Sequence, residues 1–233
     1  MIAANLQSLR DRIKEKCTAC NREPEEIKLI AVSKFFGIDA IKEANSLGIK
    51  DFGENKAQEL RDKFDLIGNK VTWHFIGTLQ KNKAKYAVKA AEYIHSVDSI
   101  PLAEEINKQA QKLNKYQKIL IEIKTSEEES KAGLNKEDDI KELVKFCGDR
   151  ENLELIGLMT MAPFTDDVKK IRKSFSDLRK LKDKINNQGF DLRELSMGMT
   201  NDFDIAIEEG STMLRIGSAI FGQREYSKDW RQL

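Results

Sequence analysis

Cysteine is scarce in this chain, with Cys17, Cys20 and Cys147 the only three in 233 residues. So small and odd a number excludes a disulfide scaffold. Cys17 and Cys20 form a CxxC pair, but a zinc site needs a second pair of ligands, and the only histidines, His74 and His95, lie far away and singly. A redox CxxC opens a helix after a strand, whereas this pair closes the first helical stretch, so it reads as ordinary helix packing. Long apolar runs are missing too. Nothing approaches the ~20 residues of a membrane helix, and Arg10, Asp11, Arg12 and Lys14 follow "MIAANLQSL" too soon for a signal-peptide core. Forty basic residues against 39 acidic ones give a net charge of +1, which provides no field to recruit nucleic acid or an anionic membrane. Three prolines and no low-complexity tract leave no linker, so residues 1–233 read as one domain of a cytoplasmic protein.

What the chain does have is alternation. Leu6, Leu9, Ile13 and Cys17 share one face of a helix over 3–20. Strand-like apolar runs then recur at 27–34, 51–55, 72–77, 93–97, 118–124, 153–160, 194–198 and 213–217. Charged amphipathic stretches separate them at 38–48, 56–66, 80–91, 100–114, 135–148 and 167–188, and a short helix over 201–210 is closed by Gly210. Strands alternating with helices predict parallel pairing with right-handed crossovers. Eight of them predict an α/β fold, a closed (β/α)8 TIM barrel with an extra N-terminal helix. An open doubly wound sheet would carry a glycine-rich turn after its first strand, where this chain has Ser33 and Lys34.

Chemistry in such a barrel sits at the C-terminal ends of the strands. Those ends bring Lys34, Asn55, His74 or Gly77, Met159 with Thr160, residues 196–198 and residues 215–218. Lys34 closes an apolar strand and precedes the apolar "FFGID". A lysine sheltered there would fall below its usual pKa of about 10.4, and the neutral amine attacks an aldehyde to give a Schiff base. The plain alternative is a solvated edge lysine. "SMGMT" and "RIGS" each place a glycine among small hydroxyl residues at the tips of the seventh and eighth strands. With the N-terminus of the short helix after the seventh strand, they suit a phosphate, against the plain alternative of two ordinary turns. An aldehyde-seeking lysine and a phosphate cradle in one barrel mouth point to pyridoxal 5′-phosphate. Arg215, if it is not a structural salt bridge, would keep the pyridine nitrogen unprotonated, because a guanidinium donates but does not accept a proton.

The segments "AVSK", "FGENKAQE", "WHFIGTLQKNK", "GLMTMAP" and "LSMGMTNDFDIAIEEGSTMLRIGSAIFGQR" resemble, in order along nearly the whole chain, those of the pyridoxal phosphate homeostasis protein family. That family is similar to the N-terminal barrel of alanine racemase, the fold-type III group of pyridoxal phosphate proteins. The resemblance implies that Lys34 forms the Schiff base with the cofactor. It implies that Ser196, Gly198, Thr200, Gly217 and Ser218 bind the phosphate, and that Arg215 stands near the pyridine nitrogen. Asn55 and His74 match residues lining the pocket, although a hydrogen-bonded core histidine remains an equal account of His74. Met159 is taken with them from its place at a strand tip. Thr200 stands where serine is usual and Ser218 where threonine is usual, and both keep a hydroxyl. "SKFFGID" replaces a more polar, proline-containing continuation after the lysine.

Two functions remain open. An amino-acid racemase working through Lys34 needs a second acid/base on the opposite face of the substrate carbanion. In this fold class that group is a tyrosine from a further β-rich domain, across a dimer. The chain ends soon after its eighth strand, and none of Tyr86, Tyr93, Tyr116 and Tyr226 falls at a strand tip. The expectation is therefore a non-catalytic, monomeric carrier that holds pyridoxal phosphate and hands it to apo pyridoxal phosphate enzymes. The basic stretch "KNKAKYAVK", 81–89, reads as a solvated helix face, with docking of acidic partners as the alternative. "TSEEESKAG", 125–133, reads as a polar loop at the barrel mouth.

Overall fold

A computed structural model describes residues 1–126, 128, 132–223 and 230–232. In chain order its main elements are α1 (Ile2–Ala19), β1 (Lys28–Val32), α2 (Ile38–Ser46), β2 (Asp51–Glu54), α3 (Ala57–Ile67), β3 (Thr72–Phe75), α4 (Ala84–Ala90), β4 (Tyr93–Val97) and α5 (Ile100–Lys112). They continue with β5 (Gln117–Glu122), α6 (Glu137–Gly148), β6 (Leu153–Met159), α7 (Val168–Asn186), β7 (Glu194–Ser196), α8 (Phe203–Glu208), β8 (Met213–Ile216) and α9 (Ser218–Phe221). The eight strands pair in sequence order, all parallel, into a closed barrel. Closure is by β8 on β1, with Lys28 opposite Met213 and Ala31 opposite Ile216. A tight turn cannot join parallel neighbours, so each crossover carries a helix. This is the TIM barrel that the alternating runs predict, with α1 as the additional N-terminal helix.

Two layers of packing follow from the period of two along each strand. Outward residues such as Ala31, Phe52, Phe75, Ile94, Ile121, Leu158, Leu214 and Ile216 meet the apolar stripes of the helices in the main core. Inward residues Ile30, Leu120, Ile156, Met159 and Met213 form a second, smaller cluster on the barrel axis. α1 buries Leu6, Leu9, Ile13 and Cys17 against α8 and α9. Cys17 is therefore packing material, and burial pushes its thiol above the usual range.

The helix expected over 80–91 starts late, because Lys81–Lys83 form a 3-10 turn ahead of it. α4 buries Ala84, Ala87 and Val88 while Lys81, Lys85 and Lys89 face water. Several strands stop one or two residues before the predicted end, since Ser33, Lys34, Asn55 and Gly77 have left the ladder to shape the mouth. The 125–133 loop falls partly, and Tyr226 wholly, outside the described residues. Among the described residues no helix is long and apolar enough to cross a membrane, and no three His, Cys, Asp or Glu side chains are grouped to hold a metal ion.

Candidate functional site

Val32 ends β1, and Ser33, Lys34 and Phe35 turn away from it. Phe35 sits at φ 71°, in the left-handed region that costs a residue with a Cβ. A buried ionic cluster behind the turn holds it there. Glu59 Oε1 accepts the Phe35 N–H at 2.9 Å. Lys63 Nζ donates to Glu54 Oε1 and Glu59 Oε1 at 2.8 Å each and to the Ser33 carbonyl at 2.9 Å, so each ammonium hydrogen has a partner. Ser33 Oγ adds a 2.6 Å bond to Glu54 Oε1. Lys63, Glu54 and Ser33 are fully buried. Burial pushes the Glu54 carboxyl up to about 7 against the pull of Lys63. The Trp230 ring lies 5.1 Å from Lys63 Nζ. The turn so held carries Lys34 to the wall of a cavity at the C-terminal end of the barrel.

That cavity has a volume of about 770 Å³. Of the ten residues picked out from the sequence, Lys34, Asn55, Thr200, Arg215, Gly217 and Ser218 line it. Ser218 Oγ donates to Thr200 Oγ1 at 3.2 Å, joining the loops that follow β7 and β8. Gly217 caps the first turn of α9, where backbone N–H groups have no acceptor within the helix. Asn55 Oδ1 is buried and has no hydrogen-bond partner among the described residues, so the wall offers an unmet polar atom. Asn55 also receives a close neighbour: a Cβ on Gly77 would stand 2.2 Å from its carbonyl oxygen, so the tip of β3 admits only glycine there.

The remaining four lie elsewhere. Met159 points inward one layer beneath the rim, among Ile30, Leu120, Ile156 and Met213, and Met161 takes the rim position. Gly198 lies under the β7 loop and accepts the Arg215 N–H at 3.0 Å. Its φ is +97°, and a Cβ would meet Ala206 Cβ at 2.6 Å and Leu214 Cδ2 at 2.8 Å. Gly198→Ala is expected to cost roughly 2–4 kcal/mol of stability from strain and overpacking together. An unchanged urea midpoint would show that the loop yields freely.

His74 and Ser196 are fully buried and do not line the cavity; for His74 this is the hydrogen-bonded core position that the sequence left open beside a place in the pocket wall. The alternation of β3 and β7 points both into the barrel, where they join one file of polar groups. His74 Nε2 is 2.9 Å from Asp51 Oδ1, and His74 Nδ1 is 2.9 Å from His95 Nε2. His95 Nδ1 is 2.8 Å from Ser196 Oγ, which accepts from Arg215 Nη1 at 2.7 Å. Arg215 Nη2 donates to the Thr160 carbonyl at 2.9 Å. Burial pulls both imidazoles below their usual pKa, His95 the further, while Asp51 partly restores His74. Burial also brings the Arg215 guanidinium down to about 10, against Asp202 and Glu122, which leaves it charged at neutral pH.

Among the lining residues that the sequence reading does not pick out is a buried acid. Glu122, at the tip of β5, is buried in the cavity wall, and burial with Asp98 nearby pushes its carboxyl up to about 7 against Arg215. A lone acid inside the apolar run "ILIEIK" was the available signal. Phe164, 88% exposed, stands on the rim after β6.

Comparison with known proteins bears on the family and the fold. The pattern of the alanine racemase N-terminal domain family covers residues 2–225. The pyridoxal phosphate homeostasis protein of Aquifex aeolicus is 39% identical across 95% of this chain and 97% of its own. That of Escherichia coli is 38% identical across 97% of this chain and 98% of its own. PipY of Synechococcus elongatus, solved with PLP bound, superposes with a TM-score of 0.84 at 34% identity, over 95% of this chain and 100% of that one. The same protein without PLP gives 0.85. Alanine racemase of Clostridium difficile, at 18% identity and a TM-score of 0.77, shares the fold, and this chain spans 58% of it.

Proposed function

The chain belongs to the pyridoxal phosphate homeostasis protein family, and from that premise we propose that it binds pyridoxal 5′-phosphate at the barrel mouth through Lys34 and acts as a reversible, non-catalytic holder of the cofactor. One observation carries the proposal: Lys34, Arg215 and the joined hydroxyls of Thr200 and Ser218 line a single cavity. Such a wall matches the cofactor's three handles, an aldehyde, a ring nitrogen and a phosphate. The unmet Asn55 Oδ1 in the same wall supports a polar ligand there. When bound, the cofactor supplies an aldehyde carbon that condenses with the lysine amine and releases water.

The chain's own residues do the rest. The Ser33 to Phe35 turn aims the amine. Thr200, Ser218 and the first N–H groups of α9 donate toward phosphate oxygens. Arg215 donates toward the ring nitrogen and, accepting no proton itself, keeps that nitrogen unprotonated, which makes the ring a poor electron sink. PipY has been solved with and without PLP, and both forms superpose on this chain almost equally, which supports a barrel that keeps its shape whether loaded or empty. On this reading the single chain is the working unit, it acts in the cytoplasm, and apo pyridoxal phosphate enzymes are its recipients.

The test is direct. Protein incubated with pyridoxal phosphate turns yellow, and borohydride fixes a pyridoxyl group on Lys34 in a peptide map. Neither alanine nor serine is racemised above background. An adduct confined to other lysines defeats the site, and robust Lys34-dependent racemisation moves the protein to the enzyme class.

A further inference from the structure

The file of polar groups inside the barrel extends well below the pocket. We propose that Asp51, His74, His95 and Ser196 form one ordered hydrogen-bond relay that positions Arg215 for the cofactor's ring from the opposite end of the barrel. The inference rests on the reading of the mouth as the cofactor pocket.

The two ends of the relay set its sense. Arg215 has only donors, so Ser196 Oγ accepts from Nη1, and its own hydrogen finds a partner only if it is given to His95 Nδ1. An imidazole that accepts at Nδ1 carries its proton on Nε2, so His95 donates to His74 Nδ1. By the same step His74 donates from Nε2 to Asp51 Oδ1, an acceptor only. Four bonds of 2.7–2.9 Å thus run in one direction, and every group in the file is satisfied. Charging either imidazole would reverse a bond and leave Ser196 accepting twice. Its hydroxyl hydrogen would then be stranded in a fully buried place, at the cost of an unmade hydrogen bond. Moving protons along the file toward Asp51 would strip the guanidinium, so the file positions rather than conducts.

The consequence falls on Arg215. With Nη1 held by Ser196 and Nη2 by the Thr160 carbonyl, the planar fork cannot rotate, and only its remaining N–H groups are left for the mouth. His74 is fixed on its face as well as its edges, because the Tyr93 ring stacks on it at 4.4 Å and 2°. At the far end Asp51 lines a separate depression on the N-terminal face, with Lys28 Nζ 3.8 Å from its carboxylate. The floor of the barrel is therefore tied to the group that meets the ring.

The relay can be tested in the unloaded protein. Long-range proton–nitrogen spectra of histidine-labelled protein at pH 7 are expected to show both imidazoles neutral with the proton on Nε2. An Nδ1 proton or an imidazolium at either residue overturns the relay. In the loaded protein, Ser196→Ala and Asp51→Ala are each expected to shift the visible maximum of the Lys34-bound cofactor by several nanometres. Each is also expected to weaken cofactor binding about tenfold, whereas Lys50→Ala, in the same depression but outside the file, leaves both unchanged. Wild-type spectrum and affinity in Asp51→Ala would sink the inference. Failure of wild-type protein to form the Lys34 adduct would sink the cofactor reading, while the histidine spectra still decide the relay. Should the variants fail to fold, those same spectra decide it.

Discussion

Lys34→Ala is expected to lose the visible band of the cofactor-loaded protein altogether and to yield no borohydride adduct in the barrel. The side chain is half-buried in a turn whose shape is set by Glu59, Glu54 and Lys63 rather than by Lys34 itself, so the barrel should fold as before. Binding should then fall back on Thr200, Ser218, Arg215 and the first turn of α9, which leaves only the phosphate and ring contacts. A drop in affinity on the order of a hundredfold, about 3 kcal/mol, is expected for losing the covalent anchor while keeping those contacts. Absorption spectra with a dialysis measurement of bound cofactor check both parts. An unchanged spectrum in Lys34→Ala would place the reactive amine elsewhere.

Lys63→Met should have the largest effect on stability. It removes the one cation of a buried triad and leaves Glu54 and Glu59 facing each other in the interior. Breaking a buried ion pair from one side costs about 3–5 kcal/mol, because the surviving charge is desolvated without compensation. The loss should also depend on pH. The Glu54 carboxyl already stands at about 7, above its unfolded value, because burial disfavours its charge. Without the ammonium it rises further. A carboxyl whose folded pKa lies above its unfolded pKa binds a proton in the folded state across that interval. Stability therefore falls as pH climbs from about 4.3 through the folded value. The deficit of Lys63→Met is accordingly expected to be greater at pH 8 than at pH 5. Urea melts at the two pH values test it, and equal deficits, or a loss under about 1 kcal/mol, would contradict the account.

The barrel was legible because parallel strands buried on both faces appear as near-continuous apolar runs, and eight of them recur at helix-length intervals. The tips were legible for the same reason: Lys34, Asn55 and Gly217 stand where those runs stop, and Arg215 lies two residues before Gly217, inside the last of them. Which way each tip side chain turns was not. Successive residues of a strand face opposite sides, so an end uncertain by one residue leaves that direction open. β7 is three residues long, too short for its pattern to show that Ser196 faces inward, and the same uncertainty left the directions of Met159 and His74 open. Glu122 was absorbed into an apolar run drawn two residues too long. The Glu54, Glu59 and Lys63 cluster was hidden for a different reason. Charged residues at helical spacing normally read as a solvated face, whereas the packing of α3 against the strand tips, with the Trp230 ring beside Lys63, seals these from water.

The closure of β8 on β1 bears on how the protein is made. Lys34 and Arg215 belong to the first and last strands, which are neighbours only in the finished ring. A chain still emerging from the ribosome owns the lysine early but lacks the arginine and the glycine turn until the eighth strand has been synthesised and docked. On the proposed reading of the mouth, partial barrels lack a complete grip on the ligand, and uptake of the chromophore is expected only once the ring has closed.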